Sequence, residues 1–346
     1  MQTCLSRRLT LHQRVSYANS CLLSKMWYVA HIYPLTPQHA KEANKILFNY
    51  VWGGRYEPIK RATVYRPKKE GGLALVNCLY KTQTIMVSTF IKSYTHSEYR
   101  NSLMFHYCFV RINNILPTDY NVHYASPLFT PYYEKSISIL KNSLHLPGFP
   151  NITTKHIYLN MFQKEESLVE SQYPTFNWAR VWANYQSIFI YPYDREIIYK
   201  HLHMCLATNK KLFMMQLVDS SPCSKCSSVN EQTPIHMFYL CDSVQPIFAW
   251  VLRCLLHLCN FKPSSNIRFL YFDNIYNGLY QKNIRNLFIY MYIITIWRNR
   301  KENIRIGNLK WLFVRKLSEY CENLRYLPKH NYEKLSKDLS SLDKTF

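Results

Sequence analysis

Four residues in one short segment restrict how this chain can fold. Cys223 and Cys226 are two residues apart in the pattern Cys-x-x-Cys, and His236 and Cys241 follow downstream. Two cysteines at this spacing can face one ion from a tight turn, while a histidine and a cysteine about one helical turn apart can approach it from the other side. The segment therefore predicts a tetrahedral Cys3His site, and zinc is the expected cofactor.

The residues between these ligands fit such a site. Residues 227–230 are rich in turn formers, and Pro234 can open a helix that carries His236 and Cys241. On a regular helix those two residues lie roughly one and a half turns apart. We therefore expect the helix to fray near Cys241.

Two other interpretations of the cysteines stay open. With eleven cysteines in the chain, one Cys-x-x-Cys pair can arise by chance among ordinary reduced side chains. A thioredoxin-like redox pair is the second alternative, but its βαβ context is missing from the sequence.

An odd number of cysteines without a secretory signal predicts a reducing compartment, either nucleus or cytoplasm. The acid-free, basic first 41 residues also suit a mitochondrial transit peptide, although their helical periodicity continues as in a folded core.

The composition predicts a mainly α protein. Hydrophobic residues make up 48% of the 346-residue chain and aromatic residues 16%, while only seven residues are glycine. This composition excludes a disordered chain and does not favour a loop-rich β fold. The most apolar run, 287–297, is too short to span a bilayer, so we expect a buried helix and no membrane partner.

Periodicity and capping signals place the helices. The first runs from Leu11 to Val29, and a second follows Thr36 and Pro37 and stops at Gly53. Asp194 is expected to cap a later helix, and the aromatic stripe of 176–187 is expected to lie in the core. Further helices are predicted over 77–109, 133–144, 154–170, 176–187, 246–258, 282–305 and 308–324.

The charge distribution predicts a polyanionic partner. The formal net charge is +22, and the first hundred residues carry fifteen Lys/Arg against four Asp/Glu. RNA or DNA is the expected partner of such a field. The main candidate contacts lie in a proline-containing and glycine-containing loop over 55–75, although a merely solvated basic turn stays open. These residues are Lys60, Arg61, Arg66, Lys68 and Lys69. Arg298 and Arg300 form a second basic cluster that either holds phosphate or solvates a helix end.

The sequence around the cysteines resembles a known family, the reverse transcriptase zinc-binding domain of non-LTR (LINE-type) retrotransposons. Ala207 stands where proline is common in that family, and a Trp-Arg-Asn sequence at 297–299 is similar to its downstream element with shortened spacing. The resemblance implies a structural zinc ion with no open coordination position. The segments that carry it are Asp194-Arg-Glu-Ile-Ile-Tyr-Lys200, Ala207-Thr208-Asn209, Leu212, the stretch from Cys223 to Cys241, and Pro246-Ile-Phe-Ala-Trp250.

A second resemblance lies earlier in the chain, in the order usual for that family. The sequences at 9–15, 22–30, 34–35 and 48–52 resemble the helical thumb that follows the palm of these polymerases, and 67–75 resembles the family's Pro-Lys-x-x-Gly-Gly-Leu-Gly-Leu element. Together they imply a thumb-like helical region over 1–110 containing the basic loop, a helical connector over 111–190, a zinc-binding domain over 191–305, and a C-terminal helix and tail over 306–346.

The sequence lacks the groups that polymerisation requires. Two metal ions in a palm need paired aspartates, but no Asp-Asp dipeptide occurs among the seven aspartates. A restriction-like nuclease is disfavoured because no Pro-Asp occurs either. We therefore predict a non-catalytic, nucleic-acid-binding C-terminal fragment of a retrotransposon reverse transcriptase. Two alternatives stay open: a piece of an active RNA-directed DNA polymerase whose palm is encoded upstream and would be its partner, or a domesticated interaction protein scaffolded by zinc.

Overall fold

The computed structural model is mainly α-helical. It describes residues 8–31, 35–95, 153–161, 167–187, 189–226, 230–259, 267–274, 278–302 and 305–324. These residues contain no named strand, and their one β feature is an isolated antiparallel bridge between Pro222 and Glu231. The fold class predicted from the sequence is confirmed, with the Cys3His group in helical surroundings.

The chain divides into two compact units. Unit 1 comprises Met1–Arg66 and Gly72–Glu165, and unit 2 comprises Pro67–Gly71 and Glu166–Phe346. The limits predicted at residues 110, 190 and 305 stay predictions. The predicted helix over 133–144, the end of the helix predicted over 77–109, most of the connector and the tail lie outside the described residues.

Unit 1 contains six described helices. They are α1 (Leu11–Tyr17), α2 (Leu23–Ala30), α3 (Pro37–Trp52), α4 (Arg61–Tyr65), α5 (Cys78–Thr95) and α6 (Thr154–Asn160). A π-helical turn joins α1 to α2, so the predicted first helix is confirmed. Helix α5 packs against α2, α3 and α6, while α1 packs against α3.

Local sequence signals account for the ends of these helices. The Thr36 side chain accepts the His39 N–H at 3.2 Å, Pro37 opens α3, and Gly53 ends it with φ 70°, as predicted. Asn77 caps α5, because its side-chain oxygen accepts the Leu79 N–H at 3.0 Å. Capping of this kind satisfies amide groups that have no partner within the helix.

Unit 2 contains seven described helices. They are α7 (Leu168–Gln172), α8 (Trp178–Ser187), α9 (Pro192–Leu202), α10 (Asn209–Met214), α11 (Gln245–Cys259), α12 (Leu279–Arg298) and α13 (Ile306–Leu324). Helix α12 packs against α8, α9, α11 and α13. Every residue from Ile284 to Trp297 is buried, so this helix lies at the centre of the unit, as its apolar sequence predicted.

Two sequence predictions in this part of the chain are wrong. The helix predicted over 154–170 is two separate helices, α6 and α7. Asp194 does not cap α9, which begins at Pro192 after Tyr191. The Asp194 carboxylate is buried within the first turn, where it accepts a hydrogen bond from Tyr290 Oη at 2.8 Å.

Candidate metal centre

The first pair of cysteines lies on a short chain reversal that follows α10. The Cys223 N–H donates to the Asn230 carbonyl at 3.0 Å, and the Gln232 N–H donates to the Ser221 carbonyl at 2.9 Å. Asn209, at the start of α10, donates from its side chain to the Pro222 carbonyl at 3.0 Å. These hydrogen bonds hold both cysteines on one reversal, as a metal-binding turn requires.

The second pair lies across a widened helical turn. His236–Leu240 forms a π-helical turn, and the Cys241 N–H donates to the His236 carbonyl at 2.8 Å. Cys241 itself has an extended backbone with φ −72° and ψ 124°, so the helix ends there. This geometry confirms that the helix does not continue through Cys241, and it brings both side chains to one side.

The four candidate ligand atoms are close enough to bind one metal ion. They all lie within 4.8 Å of one another. At a Zn–S distance of about 2.3 Å, two tetrahedral sulfurs lie about 3.8 Å apart, and a sulfur and a nitrogen about 3.6 Å apart. The Cys223 and Cys241 sulfurs are 3.9 Å apart, and the Cys226 sulfur lies 3.3 Å from His236 Nε2. The sulfur separation excludes a disulfide, whose bond is about 2.05 Å.

Polar side chains surround two of the sulfurs. Ser243 Oγ lies 3.0 Å from the Cys241 sulfur, and Gln232 Nε2 donates to the Cys223 sulfur at 3.7 Å. The Lys225 ammonium, within the Cys-x-x-Cys turn, donates to the Asn299 and Glu302 carbonyls beyond α12, each at 2.8 Å. Sequence reasoning missed these contacts, because no spacing rule connects them to the ligands.

The protonation of the ligands follows from their burial. Burial raises the pKa of the Cys241 thiol to about 11 and lowers the pKa of the His236 imidazole. Both groups are therefore neutral at pH 7 when no cation is present. A divalent cation reverses this preference at cysteine, since it favours the thiolate.

Two nearby histidines do not join this group. His201 is buried in α9, with Nε2 3.2 Å from the Leu270 carbonyl oxygen and its ring stacked on Tyr271. His203 lies with Nε2 2.9 Å from the Gly71 carbonyl oxygen. Both histidines are therefore engaged by other groups of unit 2 and are not among the four candidate ligands.

The basic loop is divided between the two units. Lys60, Arg61 and Arg66 belong to unit 1, and Lys68 and Lys69 belong to unit 2. Lys60, Lys68 and Lys69 are exposed. Arg61 instead pairs with Glu57 through two hydrogen bonds and lies over the Phe48 ring at 4.6 Å. Its guanidinium is therefore already engaged within unit 1.

The two glycines of this loop have intramolecular explanations. Gly71 has φ 79°, and a Cβ at this position would lie within the Trp182 ring. A Cβ at Gly72 would collide with the Arg66 carbonyl. Close contacts within the chain itself therefore account for both glycines.

The second basic cluster is also engaged within unit 2. Arg298 forms an ion pair with the buried Asp194 carboxylate. Arg300 lies over the Trp297 ring at 3.8 Å and donates to the Trp297 carbonyl at 2.8 Å.

Comparison of the chain with protein-family models and with curated proteins gives no match. Across the ranges that the structure describes, no helix has the length and hydrophobicity needed to cross a bilayer.

Proposed function

We propose that this chain binds nucleic acid, that a structural zinc ion orders its second unit, and that it corresponds to the C-terminal part of a non-LTR retrotransposon reverse transcriptase. The observation that supports this proposal most directly is the convergence of Cys223, Cys226, His236 and Cys241 at distances that suit tetrahedral zinc. The family assignment is based on the sequence resemblance around these ligands.

Zinc in this site would have a structural role. Three sulfurs and one imidazole complete a tetrahedron, so no coordination position remains for water or substrate. The ligands come from the reversal before Asn230 and from the turn before α11. Bound zinc would therefore join these two segments, and Ser243 and Gln232 would orient the sulfurs.

The strong positive charge supports nucleic acid as the partner. A net charge of +22 favours a polyphosphate, RNA or DNA, over a neutral ligand. The exposed Lys60, Lys68 and Lys69 are available for phosphate contacts. Because the sequence has no paired aspartates, we assign no polymerase activity to this chain.

Elemental analysis tests the zinc site. We expect about one zinc per chain in the wild type and less than half an equivalent in Cys223→Ser. Cys254→Ser is the matched control, because Cys254 is equally buried but lies outside the cluster. Loss of zinc from both variants, or from neither, would contradict the ligand assignment.

Salt-dependent binding tests the nucleic-acid proposal. Changing Lys60, Lys68 and Lys69 to Gln should weaken binding to RNA or DNA and reduce the salt slope by about 2 to 3, since each phosphate contact contributes about 0.7 to 0.9. The control replaces three other exposed lysines, Lys25, Lys45 and Lys155. An unchanged slope in the loop variant removes this assignment.

The alternatives have separate tests. Primer extension by the purified chain would show that it is an active polymerase. A palm sequence directly upstream in the genome would show that it is one piece of such an enzyme. Absence of any nucleic-acid affinity at physiological salt would favour a zinc-scaffolded interaction protein.

A further inference from the structure

Trp311 is the one exposed tryptophan of the chain. All seven tryptophans lie within the described residues, and the other six are buried or half-buried. Trp311 is 59% exposed on α13, whose opposite face packs against α11 and α12. An exposed indole is unusual because tryptophan contributes more to a core than other side chains do. The core of unit 2 does not require Trp311 at this position.

A guanidinium lies beside the exposed ring. Arg315, one turn further along α13, has its guanidinium carbon 5.4 Å from the Trp311 ring centroid. Its Nε donates to Glu319 at 3.0 Å, which fixes the side chain along the helix. The ring and the cation therefore form a preordered pair at the surface.

The position one helical turn before Trp311 is open. Gly307 lies four residues before Trp311 on α13, so the two positions share one face of the helix. A Cβ added at Gly307 would meet no atom within 4 Å, and its backbone φ is ordinary. Neither the backbone nor local packing demands glycine here, although glycine is a poor helix former. Its effect is to leave this position open, one turn before the indole.

The surrounding charge identifies the kind of ligand. The sequence from 298 to 319 carries seven basic residues against two acidic residues, Glu302 and Glu319. A flat aromatic surface with an adjacent arginine in a basic field suits an unpaired nucleobase, whose face stacks while its phosphate is attracted to the cations. A neutral apolar partner would gain nothing from this charge.

We propose that Trp311, with Arg315 one turn after it and the open position Gly307 one turn before it, is a stacking platform for an unpaired base of single-stranded RNA or DNA. This inference rests on the proposed nucleic-acid function and names one contact within it. Duplex nucleic acid would not use the platform, because its bases are already stacked.

Fluorescence anisotropy with labelled oligouridylate, oligothymidylate and a duplex of equal length tests the platform. Trp311→Ala should bind single strands about 5- to 100-fold more weakly than wild type, with an unchanged salt slope because no charge is lost. Trp311→Phe should retain most of the affinity, and Leu256→Ala, an exposed apolar control on α11, should bind as wild type does. The oligouridylate and oligothymidylate series identify whether RNA or DNA is the source of the base.

A second variant separates stacking from folding. Gly307→Leu fills the open space without removing a contact, so it should weaken single-strand binding while the unfolding midpoint stays equal or rises. If the wild type binds single strands and both Trp311→Ala and Gly307→Leu bind them equally well, the platform proposal is wrong. An equal loss of affinity for the duplex in these variants would also overturn it. If the wild type binds none of the oligonucleotides, the proposed function itself is wrong.

Discussion

Two segments of unit 2 have sequence features that predict ligand binding, but their polar groups are engaged in different ways in the structure. One is the Cys3His segment, 223–241. The other is the Gly71 turn, defined as Pro67–Gly71. In the turn, the Gly71 carbonyl accepts hydrogen bonds from Tyr199 Oη at 3.0 Å and has His203 Nε2 at 2.9 Å. In the Cys3His segment, three sulfurs and one imidazole nitrogen lie within 4.8 Å of one another, with Ser243 Oγ and Gln232 Nε2 beside two of the sulfurs.

This difference between the two segments indicates which of them depends on a ligand for its stability. A buried polar group whose partners come from the chain is part of the fold. A cluster of three thiols and one imidazole gains stability from an ion that converts the thiols to thiolates. We therefore expect the Cys3His segment to depend on metal and the Gly71 turn to depend on packing.

Metal removal should have the largest effect on the stability of unit 2. Zinc at about 1,000 times its dissociation constant stabilises the folded state by about 4 kcal/mol, because it binds the assembled ligands and not the open chain. Chelation should lower the free energy of unfolding of unit 2 by this amount, measured by urea titration. Amide exchange at Cys223 and Gln232 should rise at the same time. An unchanged unfolding curve after complete chelation would contradict a structural role for the ion.

Gly71→Val should destabilise unit 2 by about 3 kcal/mol or more. A β-branched residue is strained at φ 79°, and its side chain would overlap the Trp182 ring. Because the turn holds no ion, the loss should be equal in zinc-loaded and chelated protein. Gly278→Ala is the control, since nothing lies within 4 Å of a Cβ there. A zinc-dependent loss in Gly71→Val would mean that the two segments are not independent.

The buried His201 should make stability fall in acid by up to about 3 kcal/mol. Burial lowers the pKa of His201 to about 4, against about 6.5 in the unfolded chain. Between these values the unfolded state binds a proton that the folded state excludes, so stability is full above pH 6.5 and is lost as the pH falls toward 4. Urea titrations across this range should show a shallower loss in His201→Gln. Equal slopes in the two proteins would exclude His201 as the cause.

Ser243→Ala should weaken zinc binding about 10- to 100-fold, since the hydroxyl lies 3.0 Å from the Cys241 sulfur and can stabilise its thiolate. Competition with a chromogenic chelator measures this affinity. Ser224→Ala is the matched control, because Ser224 is exposed within the Cys-x-x-Cys turn. Equal zinc affinities in the wild type, Ser243→Ala and Ser224→Ala would show that Ser243 does not affect zinc binding.

The helices and the ligands were predictable because their signals are local. Thr36, Pro37 and Gly53 mark the ends of α3 through the hydrogen bonds that caps and a left-handed residue provide. The Cys-x-x-Cys pair likewise depends on a turn between near neighbours. Spacing could therefore indicate that His236 and Cys241 would face the first pair.

The roles of Asp194 and Gly71 depend on contacts with residues far away in the sequence. Asp194 has the sequence position of a helix cap, but Tyr290 and Arg298, far along the chain, engage its carboxylate inside the helix. Gly71 belongs to the loop that the sequence predicts to contact nucleic acid, but Trp182 occupies the space beside it.

Sequence alone thus indicated most of the helices and the ends that local caps mark, which four side chains could share an ion, and how positive the chain is. Only the tertiary structure decided which polar and aromatic groups the chain satisfies internally and which, like Trp311, it leaves at the surface. The physical reason is that local signals act through the backbone of adjacent residues, whereas burial and hydrogen-bond satisfaction depend on residues that only folding brings together.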